Sequence, residues 1–200
     1  MDFTKRDSVM KFVGTTSLTS LVLLVFSIVL SSPEKEWYQA VIGLMIMYVW
    51  VYFVHRSLHS LPMDNFLQNF NTHYIFHHGP EKILDRRIEL AIEMVNDFFM
   101  SFSVLVVQWI TGIWIVPISV ILFYAFTYTS AHIINYSIIG SETHRKHHIN
   151  MHTNFGPDTL DHIFGTSFDG KFEDLMPISV NAIGAFVAVY ILKDHIQWKN

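Results

Sequence analysis

The chain has 200 residues, 51% of them apolar and only 15% charged, and its mean hydropathy is +0.33, a balance that excludes a water-exposed globule of this size. A net charge of −4 offers no basic face for a nucleic acid, and zero cysteines exclude disulfides, thiolate metal sites, iron–sulfur clusters and thiol nucleophiles.

Charged residues are missing between Lys11 and Glu34, between Glu36 and Arg56, between Asp97 and Glu142, and between Asp174 and Lys193. At roughly 20 residues per crossing, these gaps predict an all-α integral membrane protein with four transmembrane helices, forming a single membrane domain over residues 1–200. The first span is expected over residues 12–30. It is too long for the apolar core of a signal peptide and lacks a small-x-small cleavage site, so it reads as an anchor helix that Ser31-Ser32-Pro33 ends. The second runs over 37–61 before Pro62 and carries His55 and His59 in its last turns. Residues 63–97 are polar, yet Leu84, Ile88, Ala91, Ile92, Val95, Phe98 and Phe99 recur at helical spacing. That pattern predicts an amphipathic helix resting on the membrane surface and leading into a third span over 97–113. The uncharged block from Phe98 to Ser141 breaks at Thr111-Gly112 to Pro117, so the fourth span covers 117–138 and holds His132. The segment 175–192 contains Pro177, Asn181 and Gly184 and is open between a fifth short span, a re-entrant segment and a helix packed on the others. Trp37, Tyr38, Trp109 and Trp114 fall near span ends and read as interfacial anchors.

Four crossings put the N-terminus, residues 63–97 and residues 140–174 on one side. That side holds every clustered histidine together with Lys5, Arg6, Lys11, Arg56, Lys82, Arg86, Arg87, Arg145, Lys146 and Lys171, whereas the opposite short loops hold only Lys35. By the positive-inside rule the histidine-rich cap is cytosolic.

Nine of the twelve histidines are clustered. His55 and His59 are spaced i,i+4. His73, His77 and His78 follow at i, i+4 and i+5, and His144, His147 and His148 at i, i+3 and i+4, so each set gathers on one helical face. His132 comes from a separate place, with Asn135 three residues on. Imidazole suits zinc, copper, iron and nickel, and nine ligands exceed the four of one tetrahedral ion, so two metal ions with four or five histidines each is the economical reading. At the mouth of an apolar bundle the natural substrates are lipids, and oxidising their unactivated C–H bonds demands a redox metal. Single haem-binding histidines would sit on facing helices, and a transporter would place polar ligands at the bilayer midplane. A membrane haem or electron-transfer protein, a metal transporter and a zinc-dependent membrane hydrolase are therefore the competing readings.

Three further features divide. Glu89, Glu93 and Asp97 form an i,i+4 acidic stripe that reads as a solvated face near Arg86, with orientation of ligand imidazoles by Glu93 and Asp97 as the functional alternative. His152 lies four residues beyond His148 and is a possible additional ligand. His162 and His195 read as structural.

These boxes, followed by Asn154-Phe155-Gly156-Pro157-Asp158-Thr159-Leu160-Asp161-His162-Ile163-Phe164-Gly165-Thr166, resemble the sterol desaturase and fatty acid hydroxylase superfamily over residues 37–170. The resemblance implies a di-iron centre on the cytosolic side, held by His55, His59, His73, His77, His78, His132, His144, His147 and His148. Asn135 and Asp161 stand as possible additional or supporting residues, and Asn154, Gly156 and Asp161 read as a turn that closes over the metals. The second box departs from the family's H-x2-HH: it is H-x3-HH, with Tyr74 where the first histidine would fall. The implied activity is oxygen-dependent hydroxylation, favoured over desaturation, of a sterol, fatty acyl chain or carotenoid. Overproduced protein could carry zinc in place of iron. The chain has no haem-binding module, no G-x-G-x-x-G and no cysteine cluster, so electrons must come from a separate donor such as cytochrome b5 or ferredoxin with its reductase. The implied location is the endoplasmic reticulum in a eukaryote and the plasma membrane in a bacterium.

Overall fold

The computed structural model describes residues 3–32, 35–62, 64–78 and 84–195, and within them the protein is helical throughout. The order is α1 (Phe3–Ser31), α2 (Trp37–Ser60), a 3-10 turn (Phe66–Phe70), a π-helical turn (His73–His77), α3 (Arg86–Thr111), α4 (Ile118–Ser130), a π-helix continuing α4 (Ala131–Ile138), α5 (Glu142–Ile149), α6 (Asp158–Ile163) and α7 (Met176–His195). Five of these segments are long and apolar enough to cross a bilayer. The chain is an integral membrane protein, and its surface says the same. Leu21, Val25 and Val29 of α1, Val106 and Ile110 of α3, and Val180, Ile183 and Val187 of α7 face outward, where only lipid can solvate them.

The spanning helices pack around α4, which touches α1, α2, α3 and α7. Of the residues in its most apolar stretch 56% are buried, against at most 28% in any other span. One apolar core lies between α2, α3 and α4, around Met47, Val51, Val104, Val120 and Ile121. Another lies between α1, α4 and α7, around Leu30, Phe123, Ala182, Ala185 and Val189. Gly43 lets α2 approach the connector between α3 and α4 so closely that a Cβ there would lie 2.9 Å from Pro117 Cδ. That connector begins at Gly112, whose φ of 69° ends α3 in a left-handed cap. The buried amide of Gln108 then takes over the backbone groups of the turn: its Oε1 accepts from the Ile115 and Val116 amides at 2.8 and 2.6 Å, and its Nε2 donates to Val116 O at 3.1 Å.

Two sequence expectations change here. The stretch from residue 86 onward is not a surface helix followed by a span, because α3 runs unbroken from Arg86 to Thr111. Its polar first turns stay helical by burying their acidic face inside the protein. The open question over 175–192 also narrows, because the segment is one helix packed along α1 and long and apolar enough to cross. At the start of α7, Thr19 of α1 donates to Leu175 O at 3.0 Å and shares a 2.9 Å hydrogen bond with Ser179, and Lys11 pairs with Asp174 at 2.7 Å. At its end, Lys193 Nζ donates to Leu30 O and Ser32 O at 2.7 and 2.6 Å, capping the carbonyls that terminate α1. Helix α7 therefore runs parallel to α1 from the cap to the opposite end of the bundle, as a fifth span does.

Trp37, Tyr38, Trp109 and Trp114 are exposed at the end of the bundle away from the histidines, as an aromatic belt requires. Lys82 lies outside the described residues. In intact membrane vesicles, a cysteine at Lys35 is expected to be labelled from the face opposite that which labels a cysteine at Arg145. A tag placed after α7 should report with Lys35, and its detection on the Arg145 face would contradict the fifth crossing.

Candidate metal centre

All nine clustered histidines meet at one end of the bundle. Helix α2 brings His55 and His59, the π-turn His73, His77 and His78, the π-continuation of α4 His132, and α5 His144, His147 and His148. The π-turn accommodates the extra residue in H-x3-HH. Its hydrogen bonds span five residues rather than four, so residues spaced i, i+4 and i+5 share a face as i, i+3 and i+4 do on an α-helix. His73 is thereby buried within the cluster, 2% exposed.

The donor atoms fall into three overlapping groups, each with its atoms within 4.8 Å of one another. His55, His59, His73, His78 and His147 make the first, and His77, Glu93, His132 and His144 the second. His77, His78 and His148 make the third, which joins the other two side by side. Within the first group the Nε2 atoms of His55, His59 and His73 form a triangle with edges of 3.1, 3.1 and 3.2 Å. Adjacent ligands at right angles around an ion with bonds of about 2.1 Å lie about 3.0 Å apart, so the triangle has the dimensions of three cis ligands. His148 Nε2 keeps the same spacing, 3.1 Å from His77 Nε2 and 3.0 Å from His144 Nε2.

Two of the other ring nitrogens are hydrogen-bonded from outside, and two more face carboxylates without a hydrogen bond. His55 Nδ1 donates to Phe155 O and His147 Nδ1 to Thr153 O, each at 2.6 Å. His77 Nδ1 lies 3.6 Å from Glu93 Oε2 and His132 Nδ1 3.4 Å from Asp97 Oδ1. Fixing Nδ1 as the protonated nitrogen turns the lone pair of Nε2 inward. His147 Nε2, both nitrogens of His78 and both oxygens of Asp97 are buried without a hydrogen-bond partner. Converging lone pairs and buried carboxylate oxygens without a partner are what a bound cation satisfies, so the residues present fit a metal centre.

The acidic stripe is the main correction to the sequence reading. Glu89, Glu93 and Asp97 are not solvated: they are 9%, 1% and 0% exposed. Arg86 pairs with Glu89 alone, at 3.0 Å. Periodicity put the three on one face but could not say that the face turns inward against the histidines. His152 stands outside the three donor groups and is exposed, whereas the Nδ2 of Asn135 is buried without a hydrogen-bond partner. His162 stacks on Phe172 at 3.9 Å between ring centres, a structural role. The side chain of His195 lies outside the described residues.

The closing segment earns its place through backbone carbonyls. Asp161 Oδ1 accepts from the Phe155 amide at 2.9 Å and from Thr166 Oγ1 at 2.7 Å, and its Oδ2 accepts from the Gly156 amide at 2.7 Å. Asn154, at φ 51°, bridges the same loop to α5 by donating to Thr143 O at 3.1 Å. The loop so fixed presents the Thr153 and Phe155 carbonyls to His147 and His55. Tyr48 and Tyr52 of α2 hold it from below through Thr159 and Thr166. A cavity of about 100 Å³ starts at His55, His132 and His144, passes Tyr48, Tyr124 and Tyr128, and reaches Thr16 and Leu23 of α1 and Ile178 of α7.

A family model of the fatty acid hydroxylases matches residues 40–166. The chain belongs to the fatty acid hydroxylase family. Enzymes of this family are di-iron oxidoreductases, and the buried histidine cluster agrees with that chemistry. No curated protein and no solved structure matches the chain.

Asp161→Asn replaces one of two accepting oxygens with a donor that opposes a backbone amide. Metal affinity measured by competition with a chelator is expected to fall about 10–100-fold while helix content holds. Protonation gives an independent check. Burial, reinforced by neighbouring imidazoles, lowers His147 from 6.5 to about 2 and pushes His73, His78 and His144 far below 6.5. In metal-free protein these groups gain a proton only on unfolding, so the stability they contribute is present above 6.5 and lost as pH falls below it. The melting temperature of chelator-stripped protein should therefore drop between about pH 7.5 and pH 5.5, where a flat profile would contradict the burial of neutral imidazoles.

Proposed function

We propose that the protein is a di-iron, oxygen-dependent lipid oxidase that hydroxylates rather than desaturates its substrate. The observation that carries this reading is a cavity between the spans and the closing segment that reaches His55, His132 and His144, at the seam of the donor groups. One ion falls to His55, His59, His73, His78 and His147, and the other to His77, His132, His144 and His148. Iron held there supplies the one-electron chemistry that oxidation of an unactivated C–H bond needs. The chain's residues do the rest. Neutral imidazoles bind without first losing a proton, the carbonyls of Thr153 and Phe155 orient two of them, and Tyr124, Tyr128 and Thr127 wall the reacting carbon from bulk water. A lipid chain reaches the cavity between α1 and α7, past Thr16, Thr19 and Ile178.

The reaction R–H + O2 + 2 electrons + 2 protons → R–OH + H2O requires electrons that this chain has no group to collect, so a separate carrier, such as cytochrome b5 or ferredoxin with its reductase, docks on the histidine face. The excess of Lys and Arg at the histidine end supports a cytosolic face, in the endoplasmic reticulum of a eukaryote or the plasma membrane of a bacterium. The whole chain acts as one membrane domain, with its catalytic region over 37–170. Donors gathered at one end, rather than on facing helices or at mid-bilayer, favour this reading over haem binding or transport.

The test is turnover of a lipid extract under ¹⁸O-labelled dioxygen with a reductase system. Labelled alcohol is expected from the wild type and none from His147→Ala or His148→Ala at unchanged membrane insertion. Unlabelled alkene with oxygen consumption would mean desaturation, and product formed without oxygen or reductant would overturn the reading.

A further inference from the structure

Glu93 differs from every other acidic group near the centre. It is 1% exposed on the inward face of α3, and its two oxygens face two different imidazoles: Oε1 lies 3.1 Å from His132 Nε2, and Oε2 lies 3.6 Å from His77 Nδ1. The first distance equals the spacing of imidazole nitrogens elsewhere in the cluster. Yet the two atoms are not aligned as donor and acceptor, for His132 Nε2 has no hydrogen-bond partner and neither does Glu93 Oε2. Polar atoms held at the separation of neighbouring ligands, but not aimed at each other, are aimed at a common point.

The charge balance leads to the same place. Among the described residues no lysine or arginine pairs with Glu93 or Asp97: Arg86 is committed to Glu89 Oε2 and Ser137 O, and the only protein hydroxyl on Glu93 is that of Ser137. A carboxylate out of water without a cation beside it is costly to keep. The missing positive charge belongs where the donor atoms of His77, Glu93, His132 and His144 converge.

We propose that Glu93 is an anionic ligand of the second metal position, which makes the dinuclear centre asymmetric. The first position is all-imidazole; the second combines imidazoles with one hard oxygen donor. Asp97, one turn further along α3 and 3.4 Å from His132 Nδ1, lies behind that imidazole and is a positioning residue. The asymmetry has a chemical consequence. A carboxylate favours the harder ion and the higher oxidation state, so the two positions differ in affinity and one metal loads before the other. This inference rests on the two-metal reading above and adds a ligand to it.

The experiment uses the full-length protein in detergent, labelled with ¹³C-carboxyl glutamate and titrated with zinc as a spectroscopically silent probe. Wild type is expected to bind two zinc ions per chain, and the infrared difference between loaded and stripped protein should show a label-sensitive carboxylate band that shifts on loading. In Glu93→Gln that band should vanish and the second zinc should bind more than about 100-fold more weakly, beyond the range for a residue that only orients a ligand. Glu93→Asp should keep the second zinc with an altered band, and Asp97→Asn should keep both zinc ions and the glutamate band. Two zinc ions with no metal-sensitive glutamate band in wild type would overturn the ligand assignment while leaving the two-metal reading standing. Failure of wild type to bind zinc at all would overturn both. Because the decisive band is read in the wild type, a Glu93→Gln protein that did not fold would still leave the proposal open to refutation.

Discussion

Everything at the cap end depends on one arrangement: a ring nitrogen held from outside so that the other faces inward. Imidazole has two nitrogens and in its neutral form only one proton, and a buried imidazole left to itself can present either. Here the Nδ1 atoms of His55 and His147 are fixed by backbone carbonyls at 2.6 Å, and those of His77 and His132 face the carboxylates of Glu93 and Asp97. The hydrogen-bonded supports come from the loop over 153–155, and the carboxylates that flank the other two imidazoles from the inward face of α3. Both must be in place before the donors converge, so the geometry of the centre belongs to the folded bundle rather than to any single histidine box.

That requirement explains the irregular helices. Both π-helical segments carry clustered histidines, His73 and His77 in one and His132 in the other. A π-turn costs hydrogen-bond quality and is rare in ordinary helices, and it persists where it places side chains that an α-turn could not bring together. In the first it reconciles an extra residue with a shared face. In the second it carries α4 from a membrane span, where packing sets the side-chain directions, into the cap, where His132 meets α3 and α5 within 4.7 Å of the His144 ring.

The bundle below supplies rigidity and exclusion of water. Helix α4 is enclosed by four neighbours, and backbone groups at two helix ends are answered by side chains: Gln108 serves the connector between α3 and α4, and Lys193 the end of α1. On this frame the cavity from α1 and α7 to the histidines is lined by side chains of the spans together with the closing segment over 154–161.

Much of this was legible in the amino-acid sequence. Gaps between charges locate the spans because a charge in hydrocarbon is costly and cannot be hidden by choice of fold. Histidine spacings of three, four and five residues identify donor sets because helical periodicity is local. The sequence could not say how 175–192 lies, since apolar length alone does not fix its direction; the pairing of its two ends with Thr19 and with the end of α1 lays it alongside α1. Nor could it separate the buried stripe of Glu89, Glu93 and Asp97 from a solvated one, because period shows which residues share a face and not what that face meets. It read Asp161 as part of a turn, whereas its effect on His55 and His147 passes through carbonyls that every residue possesses. Local chemistry is written in residue types and intervals, but which nitrogen is supported, and by what, is settled only when segments far apart in the chain are brought into contact.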